Sequence, residues 1–114
     1  MNLITGGNVV TYLNECDLIE LKNSLNYEKE SITKKTLLEN DIQTIAGFAF
    51  DRGQSVFPCK SPMNVTLHIL EGNAEVMIAG QNYDISEGEK IFMPKDKIHA
   101  LFAKTKLKLA LVKN

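Results

Sequence analysis

The 114-residue sequence lacks an excess of charge of either sign, since 13 basic residues face 14 acidic residues and the formal net charge is −1. Nucleic acids and anionic membrane surfaces attract proteins through clustered positive charge. The balance therefore gives no electrostatic support for nucleic acid or membrane as a partner. The basic stretch from Lys104 to Lys108 alternates with Thr and Leu, and we interpret it as the solvent face of a strand.

Long apolar runs and clustered cysteines are also missing. No window approaches the roughly 20 apolar residues that a membrane-spanning helix needs. Residues 1–7 do not combine a basic patch with an apolar run, so no signal peptide is expected. Cys16 and Cys59 lie far apart and form neither a CxxC motif nor a disulfide framework, which favours a reduced, cytoplasmic setting.

One change of pattern divides the chain into two regions. Residues 1–30 form an N-terminal extension, expected as strand or helix. In it the segment from Asp17 to Leu25 has an apolar spacing that predicts a helical turn or two. From residue 31 to residue 114, short apolar stretches alternate with turn residues. The length fits one domain, which buries roughly two thirds of its unfolded surface.

The second region predicts a succession of short β-strands. Strands of this length, with turn residues at close intervals and little helix, predict an antiparallel sandwich or barrel. In the last strand Leu107, Leu109 and Leu111 share one face, which marks it as half-buried. The predicted strands cover residues 31–38, 42–50, 65–70, 74–78, 83–85, 90–93, 98–103 and 106–112.

The stretch between Gly53 and Ala103 resembles the two signature motifs of the cupin superfamily. The first motif, G(X)5HXH(X)3–4E(X)6G, has the spacing of the chain from Gly53 to Gly72. The segment FAFDRG, residues 48–53, is similar to the strand that precedes this motif in a subgroup of small, single-domain bacterial cupins. The second motif is G(X)5PXG(X)2H(X)3N. Gly88, Pro94 and His99 match its first Gly, its Pro and its His, whereas Asp96 and Ala103 stand at its second Gly and its Asn positions.

This resemblance implies an all-β fold, namely an antiparallel cupin-type jelly-roll β-barrel that assembles as a homodimer. In the superfamily, two His and one Glu of the first motif and the His of the second hold a divalent metal inside the barrel. Here Cys59 and Ser61 stand at the two His positions. Val65 stands at the Glu position, and only His99 keeps its residue. The metal motif is therefore present in spacing but has lost most of its ligands.

The even spacing of residues 59, 61, 65, 67 and 69 predicts that they share one side of a regular strand, toward the interior. His68, the only other histidine, then points to the opposite face. We therefore expect it on the outer surface or in a dimer contact, and not as a replacement metal ligand.

Several chemistries remain open for Cys59 and His99. A thiolate and an imidazole suit a weakly held divalent metal such as zinc, although Ser61 is a weak ligand and Val65 is none. His99 is the best candidate for a catalytic residue, as a general acid or base acting alone. A Cys–His nucleophile pair would need a third group to orient the imidazole, and the sequence does not supply one.

Three functions follow from these residues. The favoured one is binding of a small molecule in the barrel, with weak or no metal. Its predicted ligand-binding residues are Cys59, Ser61, Val65 and His99. The alternative is a metal-dependent cupin enzyme of the dioxygenase or isomerase type, which the loss of metal ligands disfavours. The third is a dimeric structural domain whose pocket has lost its function.

Overall fold

Ten β-strands and one short helix make up the part of the chain that the computed structural model describes, residues 10–11 and 16–114. Residues 1–7, where no signal peptide is expected, lie outside the described residues, as does part of the predicted extension. The elements are β1 (Val10–Thr11), α1 (Leu21–Ser24), β2 (Ile32–Glu39), β3 (Thr44–Phe50), β4 (Ser55–Cys59), β5 (Val65–Glu71), β6 (Asn73–Ile78), β7 (Gln81–Ser86), β8 (Lys90–Met93), β9 (His99–Ala103) and β10 (Leu107–Lys113).

The strands form two antiparallel sheets. The larger sheet has the order β1-β2-β3-β10-β5-β8, and the smaller sheet has the order β4-β9-β6-β7. The described strands do not continue from one sheet to the other by hydrogen bonding, so the architecture is a jelly-roll sandwich. The predicted antiparallel, all-β jelly roll is thereby confirmed. None of the helices among residues 16–114 is long and apolar enough to cross a membrane.

Alternation along the strands directs apolar side chains into the space between the sheets. Leu107 and Leu109 of β10 are almost fully buried, and Val65, Leu67 and Ile69 of β5 are buried beside them. Burying each such side chain contributes about 1.5–3 kcal/mol. The core is bordered by half-buried Phe48, Ile78, Ile91 and Leu111.

Strand β4 was not among the predicted strands, because Pro58 lies within it. Proline lacks the N–H that a central strand needs, and it is tolerated at a sheet edge. β4 is the edge strand of the smaller sheet, and its pairing with β9 shifts register between Val56 and Cys59. Proline and the register shift together leave Phe57 83% exposed.

The helix is shorter than its amphipathic pattern predicts. The pattern spans Asp17 to Leu25, whereas the helix covers Leu21–Ser24 and Leu18 is fully solvated. The contact between helix and sheet depends on Gly47 of β3. A Cβ atom there would lie 2.9 Å from Leu25 Cδ2 and 3.0 Å from Leu21 Cδ1. Both leucines therefore pack directly on the glycine backbone.

Tyr27 provides a second attachment of the N-terminal segment to the outer face of the larger sheet. Its hydroxyl donates a hydrogen bond to Glu71 Oε2. Its ring lies 5.2 Å from the Nζ atom of Lys106 and 5.1 Å from that of Lys108, which are cation–π contacts. The hydrogen bond from Tyr27 lowers the pKa of Glu71, and burial raises the pKa of Tyr27.

Candidate site at Cys59 and His99

Cys59 and His99 come from neighbouring strands and meet at one end of the smaller sheet. Cys59 ends β4 and His99 begins β9, and the two residues are paired across the antiparallel ladder. Cys59 Sγ lies 3.6 Å from His99 Nε2, within hydrogen-bonding distance for sulfur. The structure therefore brings together the two residues that the sequence analysis selected as metal ligands.

The second ring nitrogen of His99 determines how the imidazole meets the thiol. Nδ1 lies 3.4 Å from the backbone carbonyl oxygen of Lys97, so the protonated Nδ1 can donate to that oxygen. In the tautomer that makes this hydrogen bond, the lone pair of Nε2 faces the thiol of Cys59. The Lys97 carbonyl is the orienting group that the sequence analysis did not find.

The pair lies between the core and solvent. Cys59 is exposed and His99 is half-buried, and His99 is paired with Ile78 at the border of the core. Ile98, the residue before His99, is 45% exposed. The thiol is therefore accessible to a molecule arriving from solvent.

Ser61 lies in the connection between the two sheets and is 8% exposed. Its Oγ accepts a hydrogen bond from the Met63 backbone N–H at 3.1 Å, and its carbonyl oxygen accepts one from Asp96 at 2.8 Å. Local turns of this kind are a common use of serine. Ser61 stands at the second histidine position of the first motif, and its hydroxyl therefore stabilises the loop that follows Cys59.

Val65 lies in the apolar core. It opens β5 in the larger sheet, is paired with Met93, and is 2% exposed. The predicted regular strand running from residue 59 to residue 69 is therefore wrong, because β4 ends at Cys59 and the chain crosses to the other sheet before Val65. From Val65 onward the alternation holds, and His68 is half-buried on the outer face opposite Lys90.

The site offers two donor atoms to a metal, Cys59 Sγ and His99 Nε2, whereas the cupin motif supplies four protein ligands. Zinc bonds of about 2.3 Å to sulfur and about 2.0 Å to nitrogen would separate the two donors by about 3.5 Å in tetrahedral geometry, close to the 3.6 Å found here. A catalytic zinc site needs a third protein ligand. Among the described residues, no group of three or more His, Cys, Asp or Glu side chains could hold a metal ion. The metal set of the cupin motif does not fit this chain.

An open cleft of about 260 Å³ lies on the outer face of the smaller sheet. Core side chains lie between the two sheets. Two exposed phenylalanines, Phe57 and Phe102, line this cleft. Pro58 and Ala100 of the cleft are the chain neighbours of Cys59 and His99. The lining residues are Ser55, Val56, Phe57, Pro58, Glu75, Met77, Asn82, Ala100, Leu101 and Phe102.

Backbone conformation supports the alignment with the two motifs. Gly72, the last glycine of the first motif, has φ 91°, and a Cβ atom there would lie 2.1 Å from the Lys106 carbonyl oxygen. Asp96 stands at the Gly position of the second motif and has φ 64°. Aspartate tolerates this left-handed conformation better than most residues. Both positions therefore have the positive φ angle that glycine adopts readily.

Comparison with solved structures decides the fold family. A conserved protein of unknown function from Streptococcus pyogenes matches with a TM-score of 0.85 and 28% identity, over 98% of this chain and 96% of that one. A cupin superfamily protein from Desulfitobacterium hafniense matches with a TM-score of 0.82 and 23% identity, over 89% and 93%. This chain has the cupin fold. An RmlC-like cupin from Shewanella frigidimarina also matches, with a TM-score of 0.70 and 18% identity over 74% and 76%.

No family model and no curated protein matches the sequence of this chain. The structural neighbours confirm the resemblance that the motifs carried.

Proposed function

We propose that this cupin-fold protein binds a small molecule at the Cys59–His99 pair and holds no resident metal there. The observation that carries the proposal is the 3.6 Å contact between Cys59 Sγ and His99 Nε2, with the thiol exposed to solvent. A polar pair beside apolar side chains is the usual composition of a small-molecule site. His99 is then the residue that exchanges hydrogen bonds or protons with the ligand.

The surroundings of the pair support a ligand of mixed character. The imidazole offers one nitrogen and the thiol a weak donor, while apolar Ile98 and Ile78 are the chain neighbour and the cross-strand partner of His99. Lys60 and Lys97 are exposed neighbours of the pair in the sequence. A neutral or anionic molecule with an apolar part suits this combination.

The donor set disfavours the second candidate, a metal-dependent enzyme of the dioxygenase or isomerase type. Redox metals with open coordination positions are usually held by three protein side chains. Val65 is an apolar core residue, and the Ser61 hydroxyl is engaged in a turn. The homodimer and the cytoplasmic setting inferred from the sequence remain predictions.

A thermal-shift screen tests the proposal. The probes are small carboxylic acids, sugars and carbonyl compounds. A ligand present at about one hundred times its Kd stabilises the native state by about 2.7 kcal/mol, which corresponds to a Tm increase of about 10 °C in a domain of this size. We expect at least one such ligand, and we expect its shift to be lost in Cys59→Ser and in His99→Asn.

The chain offers matched controls for both variants. His68→Asn changes the other histidine on the outer face, and Cys16→Ser changes the other exposed cysteine. Both controls should keep the Tm shift of the wild type. Ligands whose shifts survive in Cys59→Ser and His99→Asn would place binding elsewhere and overturn the proposal.

A further inference from the structure

We infer that Cys59 and His99 form a nucleophilic pair whose thiol adds covalently to α,β-unsaturated carbonyl compounds. The inference rests on the proposed function, because it names the ligand class of the same site. Nucleophile activation needs a base within reach of the nucleophile and a third group that orients the base. All three are present, as Cys59 Sγ, His99 Nε2 and the carbonyl oxygen of Lys97.

The direction of proton transfer follows from the imidazole contacts. The Lys97 carbonyl oxygen, 3.4 Å from Nδ1 of His99, only accepts hydrogen bonds, so this contact favours the tautomer that carries its proton on Nδ1. Nε2 is therefore free to take the proton of the Cys59 thiol 3.6 Å away. A thiolate is the reactive form of cysteine, and a neighbouring imidazolium stabilises it.

The thiol of the pair is accessible to a reactant from solvent. Cys59 ends an edge strand and is exposed, so a reactant reaches sulfur without displacing the core. The ionisable neighbours in the chain are Lys60, Lys95, Asp96 and Lys97, and all four are exposed. Phe57, two residues before Cys59, and Ile98, the residue before His99, are exposed apolar side chains.

The reaction is balanced by the atoms of the pair and the reactant alone. The thiol proton moves to His99 Nε2, and the sulfur electron pair forms a C–S bond at the β-carbon of the reactant. The C=C π electrons move to the α-carbon, which takes the proton back from Nε2. No leaving group, oxidant or reductant is required, and the imidazole ends in its starting protonation state.

The test compares the two exposed cysteines of the same molecule, Cys59 and Cys16. Wild-type protein is treated with acrylamide at neutral pH, and peptide mass spectrometry follows the alkylation of each cysteine over time. General-base assistance contributes at least about tenfold. We expect Cys59 to react at least about tenfold faster than Cys16, and His99→Asn to remove this advantage while the Cys16 rate stays constant.

His68→Asn is the matched control and should leave both rates unchanged, while the Cys16 rate and the melting curve of each variant report intact folding. Equal rates at Cys59 and Cys16, or a Cys59 rate that His99→Asn does not change, would overturn the inference. Its failure is distinguishable from failure of the proposed function. If the alkylation test fails but reversible ligands still require Cys59 and His99 for binding, the proposed binding site stands and only the nucleophilic chemistry is rejected.

Discussion

Gly72→Ala is expected to lower the free energy of unfolding by about 3 kcal/mol or more, among the larger effects of single substitutions. The left-handed backbone at φ 91° disfavours any Cβ atom. In addition, the new methyl group would lie 2.1 Å from the Lys106 carbonyl oxygen, and backbone cannot move aside as a flexible side chain can. Urea denaturation monitored by circular dichroism measures the change.

Gly80→Ala separates the two causes. Gly80 has φ 86°, close to that of Gly72, but a Cβ atom there meets nothing within 4 Å. Its substitution should cost only about 1–2 kcal/mol, the conformational part of the effect. Equal losses at the two glycines would mean that the close approach of β5 and β10 near Gly72 does not constrain the fold.

Ser61→His combined with Val65→Glu is expected to raise the affinity for Zn²⁺ or Ni²⁺ by about 100-fold or more. With Cys59 and His99 these two substitutions would fill all four motif positions, and a protein site with three or four ligands holds metal far better than one with two. Without metal the double variant should be less stable than wild type by about 3 kcal/mol, since Val65 is buried in the core. Isothermal titration calorimetry and melting curves with and without metal measure both effects.

Two further double variants serve as controls for the position and the charge of the carboxylate introduced by Val65→Glu. Ser61→His with Thr66→Glu puts the carboxylate on the opposite face of β5, where residue 66 is half-buried. Ser61→His with Val65→Gln keeps the position and removes the charge. Neither should match the gain of the variant that carries Val65→Glu. A gain that is the same for Thr66→Glu, or no gain at all, would contradict the alignment of the metal motif.

Much of the fold could be predicted from the sequence because half-buried antiparallel strands alternate in character. The eight predicted strands correspond to β2, β3 and β5 to β10. Strand β4 was missed, since Pro58 is unfavourable in a strand unless the strand lies at an edge. Edge position depends on the order of strands in the sheet, which is a tertiary property. The helix prediction was too long because Leu18 contributes to the pattern and yet faces solvent.

The candidate site could be predicted only in part. Motif spacing identified Cys59 and His99, and their pairing across β4 and β9 places them in contact. The orienting group is a backbone carbonyl, which every residue has, so the sequence cannot mark Lys97 for this role. The role of Ser61 was also hidden, because the turn that it stabilises forms only where the chain crosses between the sheets.

Elemental analysis of protein purified without an affinity tag tests the central claim most directly. The claim is that the metal set of the cupin motif is gone and that a free thiol–imidazole pair remains at Cys59 and His99. We predict well under one metal ion per chain in the wild type, and no difference in Cys59→Ala or His99→Ala. Near-stoichiometric metal that disappears in both variants would contradict the account and restore a metalloenzyme as the leading interpretation.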